Sequence, residues 1–300
     1  MSLWIPVTIA AAIFQTVRFM LQKSLSSVKL SAAGATFARF AYSMPVVVLA
    51  LGIALLATDH SIPALNTRFW LFAVIGGTTQ ILATICVVAL FKQRNFVVGI
   101  TFKKTEVIQT AIVGFFVLGD EVSAAALLAI LLGLLAVLLL SKSPGGDLVW
   151  WRNLTNRASR LGLGSGVLFA FSSVSYRGAS LELGEIDAWF RALVTLAVVV
   201  TFQFISMALW MLWRDRAELH AVWQTRRTGV FVGLTSLAGS FCWFLAFTLQ
   251  NAAYVKALGQ IELIFSLLAS ILFFRETVTQ REIAGMSLLG LSILALVLAI

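Results

Sequence analysis

Residues 124–140 read AAALLAILLGLLAVLLL, 17 positions without one side chain that can hydrogen-bond. Away from water, such a run can satisfy its backbone N–H and C=O groups only by bonding to itself as a helix, and 17 residues rise about 25 Å, close to the thickness of a hydrocarbon core. Runs of this kind recur along the whole chain. Cutting wherever charged or turn-forming clusters interrupt them defines ten spans, at 4–22, 32–57, 70–91, 97–118, 124–141, 161–179, 188–213, 229–249, 253–274 and 283–300. The expected fold is all-α and integral to a membrane, so the lipid bilayer is an expected partner. Composition agrees: 60% of residues are hydrophobic and 12% charged, against roughly 45–50% and about 25% in soluble domains.

Several functions are disfavoured by what the polar residues lack. Cys86 and Cys242 both fall inside spans and read as small packing residues rather than a disulfide. His60 and His220 fall between spans, and the chain contains no HExxH, no GxSxG and no Walker A sequence. Metal, cofactor and ATP-driven chemistry therefore have no sequence support. A net charge of +9 could suggest nucleic acid, but the basic residues sort by membrane side instead of clustering, which argues against that partner. Sixteen Lys and Arg, with Lys103 and Lys104 among them, are assigned to the side of the loops after spans 1, 3, 5, 7 and 9. Two, Arg68 and Lys256, go to the other side. The positive-inside rule places the sixteen in the cytoplasm and both termini, hence, on the periplasmic side.

An internal repeat organises the chain. A shift of 156 residues superimposes Val74 on Val230, Gly77 on Gly233, Cys86 on Cys242, Asn95 on Asn251 and Glu106 on Glu262, and neighbouring shifts pair Arg39 with Arg191. Each copy holds five spans, giving a first repeat at 1–145, a connecting loop at 146–160 and a second repeat at 161–300. An odd number of spans per copy forces the two copies to insert with opposite orientations, the plan of many secondary transporters, whose substrate sites lie near the midplane between repeats.

The fourth and ninth spans, VVGITFKKTEVIQTAIVGFFVLGDEVS and AYVKALGQIELIFSLLASILFFRETVT, resemble the two halves of the EamA-type exporters of the drug/metabolite transporter superfamily. The opening AAIFQTVRFMLQKSL and GATFARFAYSMPVVVLAL, with Arg39 early in the second helix, are similar to the family's first two helices. The resemblance implies ten helices, a central cavity between the halves, and export of amino acids or other small metabolites across a bacterial inner membrane. This sequence departs from the family in carrying Val107 and Leu263 where a proline often follows the glutamate, and its charge bias opposes the cytoplasmic termini usual there.

Candidate site residues follow from the cost of charge in lipid, about 2.5–3.5 kcal/mol per group at a helix centre on insertion scales. Glu106 and Glu262 are near mid-span, each opening a polar stripe: Glu106, Thr110, Gly114 and Glu262, Ser266, Ser270. Small residues on such stripes also serve plain helix packing, as does the Gly162/Gly166 pair. Lys103 can pair with Glu106 one turn away, whereas Lys104 points elsewhere and needs another partner. Either lysine could instead meet a substrate carboxylate, sulfonate or phosphate. Their repeat mates are Gly259 and Gln260. Arg18, Arg39, Arg177 and Arg191 read first as interfacial arginines near span ends, with Arg39 and Arg191 kept as site candidates. Tyr176 and Trp243 lie deeper and can line a cavity or pack the core. Because Glu262 has no basic neighbour at the matching positions, it is the candidate proton carrier if a proton gradient drives transport, and Glu106 the counter-ion of Lys103.

The expectation is a carrier of small polar metabolites, with monomer and homodimer both compatible. A membrane-embedded enzyme acting on a lipid or polyprenyl substrate, with the glutamates as acid and base, is the alternative.

Overall fold

The structure, a computed structural model, describes residues 2–28, 30–90, 103–140, 157–265 and 280–300. Eleven α-helices lie within them: α1 (Trp4–Val28), α2 (Ala32–Ala57), α3 (Thr67–Leu90), α4 (Glu106–Leu118), α5 (Ala124–Leu140), α6 (Arg157–Leu181), α7 (Ala188–Arg214), α8 (Arg216–Gln224), α9 (Arg226–Leu249), α10 (Ala252–Leu258) and α11 (Gln280–Leu298). No strand occurs among the described residues. Five helices (α2, α3, α7, α9 and Trp4–Gln22 of α1) are long and apolar enough to cross a membrane, and α4, α5 and the Ile283–Leu298 part of α11 are shorter apolar helices. The protein is thus an all-α membrane protein. Its surface is inverted relative to a soluble one: Leu56 and Phe116 are 90% and 80% exposed, while serines and threonines such as Ser165, Ser180 and Thr195 are fully buried.

Helix ends are set by local chemistry. Ser31 caps α2 by accepting from the Gly34 N–H at 2.9 Å, and α4 ends at Gly119, whose φ of 68° is a left-handed conformation open to glycine without strain. The segment after span seven is not simply a loop. Asp215 caps α8 by accepting from Glu218 N at 3.3 Å, and Glu218 in turn accepts from the Ser31 N–H at 2.6 Å, which ties α8 to the start of α2. His220 is therefore helical.

Packing runs mainly between chain halves. Helix α3 lies along α6 and α1 along α9; α2 meets α7, α5 meets α11 and α4 meets α10. Exchanging α1 with α6, α2 with α7, α3 with α9, α4 with α10 and α5 with α11 leaves this pairing unchanged. Loops gather at two ends. At one, His60 meets Asp187 (3.2 Å), Asn66 donates to Glu182 (2.8 Å) and Asn251 donates to the Glu121 carbonyl (3.3 Å). At the other, the turn before α2 meets α8.

Two turns stand at matching places in the two halves. Lys104 and Thr105 form a turn just before Glu106, and Gly259–Ile261 form a 3₁₀ turn just before Glu262. Both interruptions are separated by the 156-residue shift of the sequence repeat. Gly166 lets α6 approach the first one, since a Cβ there would stand 3.2 Å from the Lys103 carbonyl oxygen and 2.7 Å from Gln109 Oε1. Gly259 makes room for the Trp243 ring, which a Cβ would meet at 2.5 Å.

Candidate functional site

Seven charged side chains are buried among the described residues: Arg18, Arg39, Lys103, Lys104, Lys256, Glu106 and Glu262. The three lysines and two glutamates meet around the turns before Glu106 and Glu262. Lys104 donates to Glu262 Oε1, and Gln15 Nε2 of α1 donates to Glu262 Oε2 at 2.6 Å. Glu106 Oε1 lies 3.5 Å from Lys103 Nζ and 4.0 Å from Lys256 Nζ. Each carboxylate is thus held by lysine, and among the described residues three of the five positive charges have no carboxylate left to match. Removing charge from water costs several kcal/mol per ion even after relaxation, so this excess has to be met by solvent or by an anion.

Beside the cluster lies a cavity bordered by α1, α2, α3, α6, α9 and α10, and so by both chain halves. Arg18, Arg39 and Lys256 reach its wall, together with Gln15, Gln80 and a group of hydroxyls. Arg39 is oriented by hydroxyl acceptors, giving Nε to Ser236 Oγ at 2.5 Å and Nη2 to Ser240 Oγ at 3.0 Å. Arg18 lies over the Phe19 ring at 4.4 Å. Lys256 is surrounded by the rings of Trp243, Phe169 and Phe247 at 5.1, 5.4 and 5.7 Å, a cation–π arrangement that offsets part of its desolvation. Tyr176 stacks on Phe244 with centroids 4.2 Å apart and donates to Gln80 Oε1 at 2.9 Å.

The residues singled out from the sequence divide accordingly. Tyr176, Trp243 and Arg39 border the cavity, and Arg39 is buried rather than interfacial, as is Arg18. Lys103, Lys104, Glu106 and Glu262 form the ion cluster, and Lys104 finds the distant partner its orientation required. Thr110 is fully buried and bonds back to the Glu106 carbonyl at 2.7 Å, so it belongs to helix packing with Gly114. Gln260 is buried and donates to the Lys256 carbonyl at 3.3 Å. Arg191 sits in the first turn of α7, away from the cavity lining. Ser266 and Ser270 lie outside the described residues.

Three expectations are corrected. Glu262 does have a cation, Lys104, supplied from the other half, so the premise that singled it out as proton carrier fails. Lys256 is a buried member of the cluster and not an outer-side charge. Arg177 is not free to snorkel: it clamps Asp120 at 2.9 and 3.2 Å and the carbonyls of Phe247 and Gln250, both at 2.9 Å. Sequence spacing missed Lys256 as a site residue, although a lone lysine within AAYVKALG was a usable signal.

This arrangement of apolar exterior, interrupted helices and charged central cavity defines a helical membrane protein with an internal polar site. No protein-family model and no curated protein matches the chain. Among solved structures 29 chains are similar; one crystal structure covers 99% of this chain and 96% of its own at a TM-score of 0.71 and 13% identity. Likeness at that identity concerns the fold alone.

Proposed function

We propose that the protein is a secondary transporter, acting as an exporter of small polar metabolites such as amino acids across a bacterial inner membrane by alternating access. The observation that carries this reading is the cavity bordered by both halves, with Lys256 of the buried ion cluster on its wall. Discontinuous helices at a repeat interface are where carriers place their sites, because interrupted backbone and half-helix ends present polar groups inside lipid. The helix pairing that survives exchange of the halves supports two five-helix repeats, 1–145 and 161–300, inserted in opposite orientations.

Charge supports the direction of insertion. Once the buried Lys103, Lys104 and Lys256 are removed from the count, fourteen basic residues remain on one side against Arg68, Arg177 and Arg191 on the other, the last two placed there by Asp120 and the Asp187 turn. The sparsely basic end carries Asp59, Asp120, Glu121, Glu182, Glu185 and Asp187. The basic end is then cytoplasmic and the termini face the periplasm. An acid–base enzyme would need a carboxylate free to exchange protons with substrate, and both buried glutamates are engaged by lysines.

The test is a counterflow assay in sealed proteoliposomes with a panel of labelled metabolites. A carrier accumulates label against an unlabelled internal pool and shows no chemical turnover in detergent. Product formation in detergent without flux in vesicles would replace the carrier with the enzyme.

A further inference from the structure

With the two carboxylates matched to lysines, the remaining positive charge sits on the cavity wall. Arg18, Arg39 and Lys256 reach it from α1, α2 and α10. Among the described residues neither arginine is paired with a carboxylate, and Lys256 shares Glu106 Oε1 with the nearer Lys103. The hydrogen-bonding capacity left over on the wall points the same way. Arg18 Nε and Trp243 Nε1 are buried donors without a partner. Gln80 spends its oxygen on Tyr176 and on Gln203, at 2.9 and 2.8 Å, leaving amide N–H groups. Ser236 and Ser240 accept from Arg39 through their oxygens and keep their O–H groups to give.

Buried donors without acceptors are unfavourable, and a wall that supplies mainly donors and cations complements an acceptor-rich anion. A zwitterion would leave the excess of three positive charges unchanged; a dianion lowers it to one. We infer that the cavity binds a small organic dianion whose charge is carried on oxyanion groups, gripped by Arg18, Arg39 and Lys256, with its carbon skeleton against Trp243 and Phe244. Planar guanidinium forks match carboxylate and phosphate oxygens two at a time. The assignment rests on the carrier reading for its physiological meaning, while binding itself can be measured apart from transport.

The experiment uses the purified full chain in detergent, with calorimetric titration near neutral pH at fixed ionic strength. The probes are succinate and glycerol 3-phosphate as dianions, succinamate as the monoanion of similar skeleton, and succinamide and alanine as uncharged and zwitterionic controls. At least one dianion is expected to bind tenfold or more tighter than succinamate, with succinamide and alanine weaker still. Arg18→Gln is expected to weaken that binding by about 10–100-fold, the worth of a charge-assisted hydrogen bond. Trp243→Phe keeps one aromatic ring and removes the indole N–H together with the five-membered ring, so it should weaken it by roughly 2–10-fold without unfolding the protein.

Equal affinity for succinamide and the dianions, or binding of neither dianion by well-folded protein, would overturn the assignment. So would unchanged dianion affinity in folded Arg18→Gln and Trp243→Phe. Counterflow separates the two readings. Dianion binding without flux removes the carrier and leaves the site, whereas alanine flux that no dianion inhibits removes the site and leaves the carrier.

Discussion

Lys104 and Glu262 stand 158 residues apart in sequence and meet inside the protein, which makes them the pair most sensitive to a single substitution. Deleting one member of a buried ion pair leaves the other charge stranded and typically costs about 3–5 kcal/mol, whereas replacing both with apolar groups is often neutral. Lys104→Met alone is therefore expected to destabilise by that amount, and Lys104→Met combined with Glu262→Met to recover most of it. Denaturation in detergent, run as a double-mutant cycle, checks this; additive losses would show that the pair is not coupled. That Lys104 needed a partner was legible from its place beside the Lys103/Glu106 turn. Which carboxylate answered was not, because helical spacing reports only neighbours within a turn or so.

At the scale of elements, the two interruptions before Glu106 and Glu262 decide where the charges meet. The first is held by the close approach of α6 at Gly166, where an added Cβ would stand 3.2 Å from the Lys103 carbonyl oxygen, a backbone atom that moves only with the turn itself. Gly166→Ala is expected to cost about 1–3 kcal/mol, the usual range for overpacking, while Gly164→Ala, with open space around its Cβ position, should be close to neutral. Thermal unfolding of the two variants tests the contrast. Equal effects would mean that helix propensity, and not the approach to the turn, governs this segment. Most helix limits were legible from apolar runs and charged punctuation: α2 spans the residues expected of it, and α5 and α7 each agree with the expected bounds to one residue. Helix α8 was not, because its nine residues are too short and polar to register as a span and depend on the Asp215 cap and the contact with Ser31.

For the whole molecule, the segregation of charge between the two ends gives an expected topology. A green fluorescent protein fused after Ile300 should be dark and an alkaline phosphatase fusion active, if the termini lie on the periplasmic side as the proposed topology has them. Bright fluorescence would reverse the orientation while leaving the helix pairing untouched.

The helical, membrane-embedded character of the chain, the match of a stretch of each half at a 156-residue shift, and the placing of Glu106 and Glu262 within the apolar stretches 97–118 and 253–274, with Lys103 and Lys104 in the first, are legible from the residues alone. These are consequences of local hydropathy and spacing, which do not depend on how helices are arranged. Helix packing, by contrast, sets Lys104 against Glu262, brings Lys256 into the cluster within a cage of three rings, and turns Arg18 and Arg39 toward the cavity instead of the interface. The physical reason is that an ionisable group inside lipid takes whatever counter-charge or donor the packing brings within a few ångströms, and that neighbour is supplied by helices far away in the chain.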